Sequence, residues 1–150
     1  MNDRRYQLRC GIYAIAAVVA LVGTWHQNIA YVRPDEGLVV GFASATERFW
    51  RETFATPAST SITIDLGLLM IPLCMLMVLE ARRLGIRFVW LYIVLGLLIA
   101  ISMTYPLFLI ARELRLKERG DASPSLGWAD TAALAALAIV MIGVTVRTFF

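Results

Sequence analysis

Charged residues are scarce in this 150-residue chain: they make up 17% of it, whereas hydrophobic residues make up 59%. A soluble domain usually carries about 25% charged and about 45–50% apolar residues, so the composition excludes an ordinary soluble domain. The net charge is only +3, and no stripe of Lys and Arg interleaves with aromatic residues. The sequence therefore gives no indication of a nucleic-acid partner. At this length we expect one domain.

Residues that carry cofactor chemistry are also few. A single histidine, His26, cannot supply a bis-histidine haem or a multi-histidine metal site. Cys10 and Cys74 are too few for a disulfide framework, and we interpret both as small buried hydrophobic side chains. The Cys-x-x-Cys, His-Glu-x-x-His, Gly-x-Ser-x-Gly, Walker A and Gly-x-Gly-x-x-Gly patterns are absent from the sequence. We therefore expect no metal and no cofactor.

The apolar residues are gathered into four blocks, each near the ~20 residues that a bilayer-spanning helix requires. They predict transmembrane helices over residues 11–32, 61–83, 87–118 and 124–148, packed as one all-α domain over residues 1–150. Ser123 and Pro124 predict the start of the fourth helix, as an N-cap followed by a proline at the first helical position. The predicted fold is a four-helix transmembrane bundle.

The segment between the first two blocks is too apolar for a solvated loop and too interrupted for a span. Ser44 and Glu47 form a capping-box pattern. Phe49, Trp50 and Phe54 then gather on one side. This pattern predicts a short helix over residues 45–54 that lies along the membrane surface. A loop packed against the bundle is the alternative.

In a bundle with four crossings, the number of basic residues on each side does not indicate which side faces the cytoplasm. Seven Lys and Arg residues then flank each side of the membrane. The first helix often dominates the positive-inside rule, and its N-terminal flank carries Arg4, Arg5 and Arg9. We therefore expect both termini in the cytoplasm.

Polar side chains concentrate in one leaflet of the predicted bundle. Helix direction and a rise of ~1.5 Å per residue place there His26, Gln27, Asn28, Asp65, Ser102, Thr104, Tyr105 and Asp130. Asp65 is the most informative, because a carboxylate at the centre of a span costs about 2.5–3.5 kcal/mol, and less near the interface. We expect Asp65 to face the bundle interior, near bends at Pro72 and Pro106. Its expected hydrogen-bond partner is at least one of His26, Asn28, Ser102, Thr104 and Tyr105.

Asp65 has two interpretations: a polar contact that holds helices together, or an acid that faces a ligand or exchanges protons. The preferred function is a non-catalytic module. It would bind a small lipophilic molecule or membrane lipid, or act as an accessory subunit of a membrane complex or homo-oligomer. The candidate ligand-binding residues are Asp65, His26, Asn28, Ser102, Thr104 and Tyr105. The alternative is a small membrane enzyme acting on a lipid or isoprenoid, with Asp65 as general acid assisted by His26 or Tyr105.

Three stretches resemble a known family: ATPASTSITIDL (Ala55–Leu66), EARRLGIRFVWL (Glu80–Leu91) and SMTYPLFLIAREL (Ser102–Leu114). They look like a bacterial membrane-protein family catalogued as domain of unknown function 2834, over roughly residues 20–115. The family-like elements are Asp65, the turn from Glu80 to Gly85, Trp90, Pro106–Leu109 and Arg112-Glu113. The resemblance implies a small multi-spanning protein of the bacterial inner membrane and brings no established activity.

Overall fold

All regular structure in the described residues is helical. The computed structural model describes residues 3–121 and 126–147, with side chains from residue 6 onward. The helices are α1 (Asp3–Asn28), α2 (Leu38–Thr53), α3 (Pro57–Leu84), α4 (Val89–Leu95), α5 (Ile101–Arg119) and α6 (Trp128–Val146). A 3₁₀ turn (Ile29–Tyr31) follows α1, and a π turn (Gly96–Ala100) joins α4 to α5. The predicted all-α class is therefore confirmed.

Four helical stretches are long and apolar enough to cross a membrane. They are Tyr6–Tyr31, Pro57–Leu84, Val89–Arg119 and Trp128–Val146. The predicted number of apolar helices is thus confirmed for the described part of the chain. The predicted start of the fourth helix at Ser123 and Pro124 lies outside the described residues.

The third stretch, Val89–Arg119, folds back on itself. In one continuous α-helix, Tyr92 and Phe108 would lie about 24 Å apart. Their rings instead pack edge to face, with centroids 5.9 Å apart. The backbone reverses through the π turn, where Ala100 is extended at φ −172° and ψ 125°. The prediction of one uninterrupted helix over residues 87–118 is therefore wrong, because α4 and α5 form a helical hairpin.

Gly96 lets the two arms of this hairpin approach closely at its tip. A Cβ atom on Gly96 would lie 2.7 Å from both Thr104 Oγ1 and Ile101 Cδ1. Any side chain there would therefore displace its neighbours. The two prolines expected to bend the helices, Pro72 and Pro106, lie inside α3 and α5. The reversal thus occurs before Pro106, at Gly96–Ala100.

The hydrophobic core lies where the hairpin packs against α3. It consists of Met77 and Ala81 from α3, Val89 and Ile93 from α4, and Phe108 from α5. A tight turn brings α4 back along α3. In this turn Gly85 adopts the left-handed conformation (φ 68°), and the N–H of Ile86 donates to the carbonyl oxygen of Ala81 at 2.9 Å.

The helix ends define a direction for the bundle. Arg9 of α1 pairs with Glu113 of α5 at 3.6 Å. At the same end, Glu80 of α3 pairs with Arg112 of α5 at 2.7 Å. We call this the basic end; it comprises the N-terminal part of α1, the C-terminal parts of α3 and α5, and the link between α3 and α4.

The C-terminal part of α6 lies at the opposite end. Thr145 of α6 packs against Gly23 of α1, because its methyl group lies 3.1 Å from the position that a Cβ on Gly23 would take. Gly23 is far from Arg9 along α1. The first and last described helices therefore begin and end at opposite ends of the bundle. The expectation that both termini lie in the cytoplasm stays a prediction.

Helix α2 includes most of the predicted 45–54 segment but begins earlier, at Leu38. Ser44 lies inside this helix, so it is not the N-cap that the sequence predicted. Its hydroxyl donates to the carboxylate of Glu36 and to the carbonyl oxygen of Gly41. A capping box does occur at the start of α3, between Thr56 and Ser59.

Candidate functional site

Thr104, one of the predicted site residues, lies buried at the tip of the hairpin. Its side chain is 1% exposed, and its hydroxyl has no hydrogen-bond partner among the described residues. Thr24, Thr63 and Thr145 each donate to the carbonyl oxygen four residues earlier, at 2.8–2.9 Å. The equivalent acceptor for Thr104 is Ala100, whose extended backbone takes that carbonyl out of the helical position. The reversal of the chain thus leaves an unpaired hydroxyl at the tip.

Ser102 and Tyr105 flank Thr104 on α5 but have different surroundings. Ser102 is exposed, whereas Tyr105 is half-buried and packs against the hydrophobic core. The structure therefore places these three predicted site residues at one end of α5 without gathering them on one surface.

His26 and Asn28 lie beyond the tip of the hairpin. The ion pair between Arg9 and Glu113 gives a common level from which to measure along α1 and α5. At the rise of an α-helix, His26 lies about 25 Å from this level along α1, whereas the start of α5 lies only about 18 Å from it. The His26 side chain is exposed, and its Nδ1 lies 3.4 Å from Nε2 of Gln27. Asn28 is half-buried at the end of α1.

Asp65 also lies beyond the tip of the hairpin. Measured from the ion pair between Glu80 and Arg112, Asp65 lies about 22 Å away along α3, whereas the start of α5 lies about 16 Å away along α5. The carboxylate of Asp65 is exposed and has no hydrogen bond or ion pair with any described residue.

The prediction that Asp65 faces inward and bonds one of five named side chains is therefore wrong. Three of the expected donors lie on α5, which begins at the hairpin tip and runs away from Asp65 toward the basic end. The other two, His26 and Asn28, lie on α1 and make no hydrogen bond to Asp65 in the described structure. A role for Asp65 in a ligand site stays a prediction.

Sequence reasoning missed a buried carboxylate, Glu113. Its side chain is 2% exposed and lies between Arg9, at 3.6 Å, and Arg112, at 3.2 Å. Arg112 also donates to Glu80 at 2.7 Å, so these charges join α1, α3 and α5. Only the fold-back, which returns α5 to α1, shows that Glu113 is buried.

The basic end holds most of the positive charge of the molecule. Ten of the 14 Lys and Arg residues belong to it by their position in the helices: Arg4, Arg5, Arg9, Arg82, Arg83, Arg87, Arg112, Arg115, Lys117 and Arg119. Four belong to the opposite end: Arg33, Arg48, Arg51 and Arg147. The seven-to-seven division expected for four crossings therefore does not apply to this fold.

The link between α1 and α2 is held by an ion pair at the opposite end. Arg48 donates to the carboxylate of Glu36 at 3.1 and 3.2 Å and to the carbonyl oxygen of Tyr31 at 2.8 Å. Hydrogen bonds from Arg48 and Ser44 lower the pKa of Glu36 below its ordinary value. An open cavity of about 310 Å³ lies beside this pair, lined by Gln27, Ala30, Tyr31, Arg33, Arg48 and Glu52.

Metal-ligating residues are dispersed in the part of the chain that the structure describes. No three of its His, Cys, Asp and Glu side chains are placed to hold a metal ion together. Cys10 and Cys74 are free thiols and half-buried.

The helices and their composition are those of a small, all-helical membrane protein. The chain belongs to the family described as Protein of unknown function DUF2834, whose model matches residues 12–114. This confirms the resemblance found in the sequence. No curated protein and no solved structure matches the chain.

The matched region runs from α1 into α5 and leaves out α6. Two of the stretches that carry the resemblance meet in the fold, because Glu80 of one pairs with Arg112 of the other. The family-like residues at these positions thus hold the hairpin against α3.

Proposed function

We propose that this protein is a non-catalytic module of the bacterial inner membrane that binds a small lipophilic molecule beside Asp65. The observation that carries the proposal is an acid within a membrane-spanning helix that has no partner among the described residues of its own chain. A charge at the centre of a span costs about 2.5–3.5 kcal/mol and less toward the interface, and a donor from outside the chain reduces that cost. The proposed ligand has an apolar body and a cationic or hydrogen-bond-donating head.

The shape of the bundle supports this location. The hairpin ends about 6–7 Å short of Asp65 and His26 along the helices, so α4 and α5 supply no partner at that depth. Asn28 lies on α1 at a depth similar to that of His26. Ser102 and Thr104 lie at the hairpin tip, on the side of Asp65 and His26 that faces the basic end. Tyr105 is one turn further toward the basic end.

The chemistry favours binding over catalysis. The enzyme alternative requires a general acid assisted by a second group, His26 or Tyr105. Within the described residues Asp65 bonds to neither. A single acid on an exposed helix face suits recognition of a polar head better than proton transfer.

The proposed topology has three crossings, α1, α3 and α6, with the hairpin entering and leaving on one side. The basic end, with ten of the 14 Lys and Arg residues, lies in the cytoplasm by the positive-inside rule. Helix α2 then lies along the opposite surface of the membrane. Its exposed Leu38, Phe42 and Trp50 suit such an interfacial position.

The substitution Asp65→Asn tests the ligand site, with Asp130→Asn at the start of α6 as the matched control. Protein purified in mild detergent is extracted with organic solvent, and co-purifying small molecules are measured by mass spectrometry. The amount of co-purifying small molecule should fall about tenfold or more in Asp65→Asn, since a hydrogen bond to a charged group contributes about 1.5–3 kcal/mol to the binding free energy. Asp130→Asn should retain the molecule, and both variants should keep the thermal stability of the parent.

Equal retention by the two variants would contradict the proposal. Loss of a cross-linked complex with another protein, instead of a small molecule, would assign Asp65 to a subunit contact.

A further inference from the structure

Two arginines of the basic end, Arg82 and Arg87, are exposed and have no hydrogen bond or ion pair with any described residue. Other cations at this end are engaged: Arg83, Arg112 and Arg115 each form an ion pair with a glutamate. Arg82 lies in the last turn of α3 and Arg87 in the link to α4. Positive charge is therefore available at the turn between these helices.

Exposed aromatic rings accompany the two arginines. Phe88 is 76% exposed and Trp90 is 60% exposed. Phe88 also adopts the left-handed conformation (φ 60°, ψ 33°), which is rare for a bulky side chain. Its neighbours Ile86 and Val89 pack in or against the core. The turn thus keeps a large aromatic ring outside the protein in a conformation that costs free energy.

We infer that this turn, defined by Arg82, Arg87, Phe88 and Trp90, binds an anionic phospholipid. The two guanidinium groups contact the phosphate, because Arg offers a planar set of donors that suits phosphate oxygens. Phe88 and Trp90 lie in the interfacial layer, where aromatic side chains are enriched. The inference rests on the proposed topology, in which the basic end faces the anionic cytoplasmic leaflet.

A phospholipid explains the turn better than a free anion does. A soluble phosphate would use the two arginines and leave the rings in water. A lipid also contacts the rings through its glycerol and acyl groups. The turn joins two apolar helices, α3 and α4, so it lies where the chain leaves and re-enters the bilayer in the proposed topology.

The affinity of the full chain for phosphatidylglycerol, measured by native mass spectrometry in detergent, tests the site. The double variant Arg82→Gln/Arg87→Gln should bind about 25-fold more weakly, since each basic side chain contributes about fivefold near an anionic surface. The control Arg51→Gln/Arg147→Gln removes the same charge at the opposite end and should keep the parent affinity. Phosphatidylcholine should bind weakly to all three proteins.

The variant Phe88→Gly separates lipid binding from folding. Glycine adopts the left-handed conformation without strain, so the thermal stability should stay equal or rise. The affinity for phosphatidylglycerol should fall several-fold because the ring is lost. A lower stability with unchanged lipid affinity would overturn the role given to Phe88.

Two further outcomes would overturn the inference as a whole. Equal weakening by the Arg82/Arg87 and the Arg51/Arg147 variants would show a diffuse charge effect. Binding of glycerol phosphate as tight as that of phosphatidylglycerol would show a site for free phosphate. Asp65→Asn should not change the affinity for phosphatidylglycerol. The proposed ligand site at Asp65 and the proposed lipid site at the turn are therefore tested separately, and either can be wrong without the other.

Discussion

Gly96 determines how closely the arms of the hairpin approach. In Gly96→Ala, the new Cβ would lie 2.7 Å from Thr104 Oγ1 and Ile101 Cδ1, so both side chains must move. The free energy of unfolding should fall by about 1–3 kcal/mol. Gly67→Ala is the control, because no atom lies within 4 Å of its added Cβ. Since alanine favours helix, Gly67→Ala should raise stability by about 0.5–1 kcal/mol. Thermal unfolding in detergent, followed by circular dichroism, measures both.

The buried hydroxyl of Thr104 predicts an unusual result for its conservative replacement. A buried polar group without a partner costs about 1–3 kcal/mol, and Thr104→Val removes that group at nearly constant shape. Thr104→Val should therefore keep or raise the free energy of unfolding. Thr104→Ala also removes a methyl group and should lower it by about 1 kcal/mol. A fall in the free energy of unfolding of about 1 kcal/mol or more in Thr104→Val would show that the hydroxyl has a partner, such as a water molecule or the ligand.

Glu113 should be the most sensitive charged position. The change Glu113→Gln removes a buried charge that pairs with Arg9 and Arg112, leaves Arg112 with Glu80 alone, and should cost about 3 kcal/mol. Glu118 is the control, because its pair with Arg115 is largely exposed. Glu118→Gln should cost less than about 1 kcal/mol. Chemical unfolding measures the free energy of unfolding of both variants. An equal decrease in the two would contradict the structural role assigned to Glu113.

At the scale of elements, the link between α1 and α2 should loosen in acid. Pairing with Arg48 lowers the pKa of Glu36, so this contact stabilises the link above the ordinary pKa of the carboxyl group. The stabilisation is lost as the pH falls through the lowered pKa of the folded state. Amide hydrogen exchange, corrected for intrinsic rates, should show protection of residues 33–53 falling below about pH 4.

The variant Glu36→Gln checks the origin of that pH dependence. It should have low protection of the link already at neutral pH and no further step in acid. Glu47→Gln, on the same helix, should behave as the parent protein does.

The existence of the helices could be predicted from the sequence, but the hairpin could not. Apolar runs near 20 residues report on local burial in lipid, so all four apolar stretches were found. The block from Arg87 to Ala111 is as hydrophobic as a single span, and its composition does not change at the reversal. Gly96 and Ala100 have ordinary identities for a membrane helix. The extended backbone of Ala100 and the close approach at Gly96 depend on the packing of this turn against α5 and α1, and α1 is distant in sequence.

The candidate site was predicted in part for the same reason. His26 and Asp65 lie toward the end of the bundle opposite Arg9, as the direction of α1 and α3 predicts. Ser102 lies on the side of the hairpin tip only because the chain reverses before α5. Their mutual contacts were not predictable, since they depend on where α5 starts. Glu113 was missed because its burial requires the return of α5 to α1.

At the scale of the whole molecule, cysteine labelling distinguishes three crossings from four. Single cysteines replace Gln7, Glu118 and Arg51 in a Cys10→Ser/Cys74→Ser background, and intact spheroplasts are treated with an impermeant maleimide. Position 51 should react, whereas positions 7 and 118 should react only after lysis. In a four-crossing topology position 118 would react together with position 51, because the third helix would end outside.

The unequal division of Lys and Arg between the two ends also makes the protein an electrical dipole across the bilayer. A respiring bacterial membrane is negative on its cytoplasmic side, which is where the proposed topology places the basic end. Each elementary charge moved across it corresponds to about 2.3 kcal/mol at 100 mV. Inverting the inserted protein would carry an excess of several positive charges against this voltage. In the proposed topology, the fold-back of one helix therefore places the positive excess on the side that the membrane potential favours.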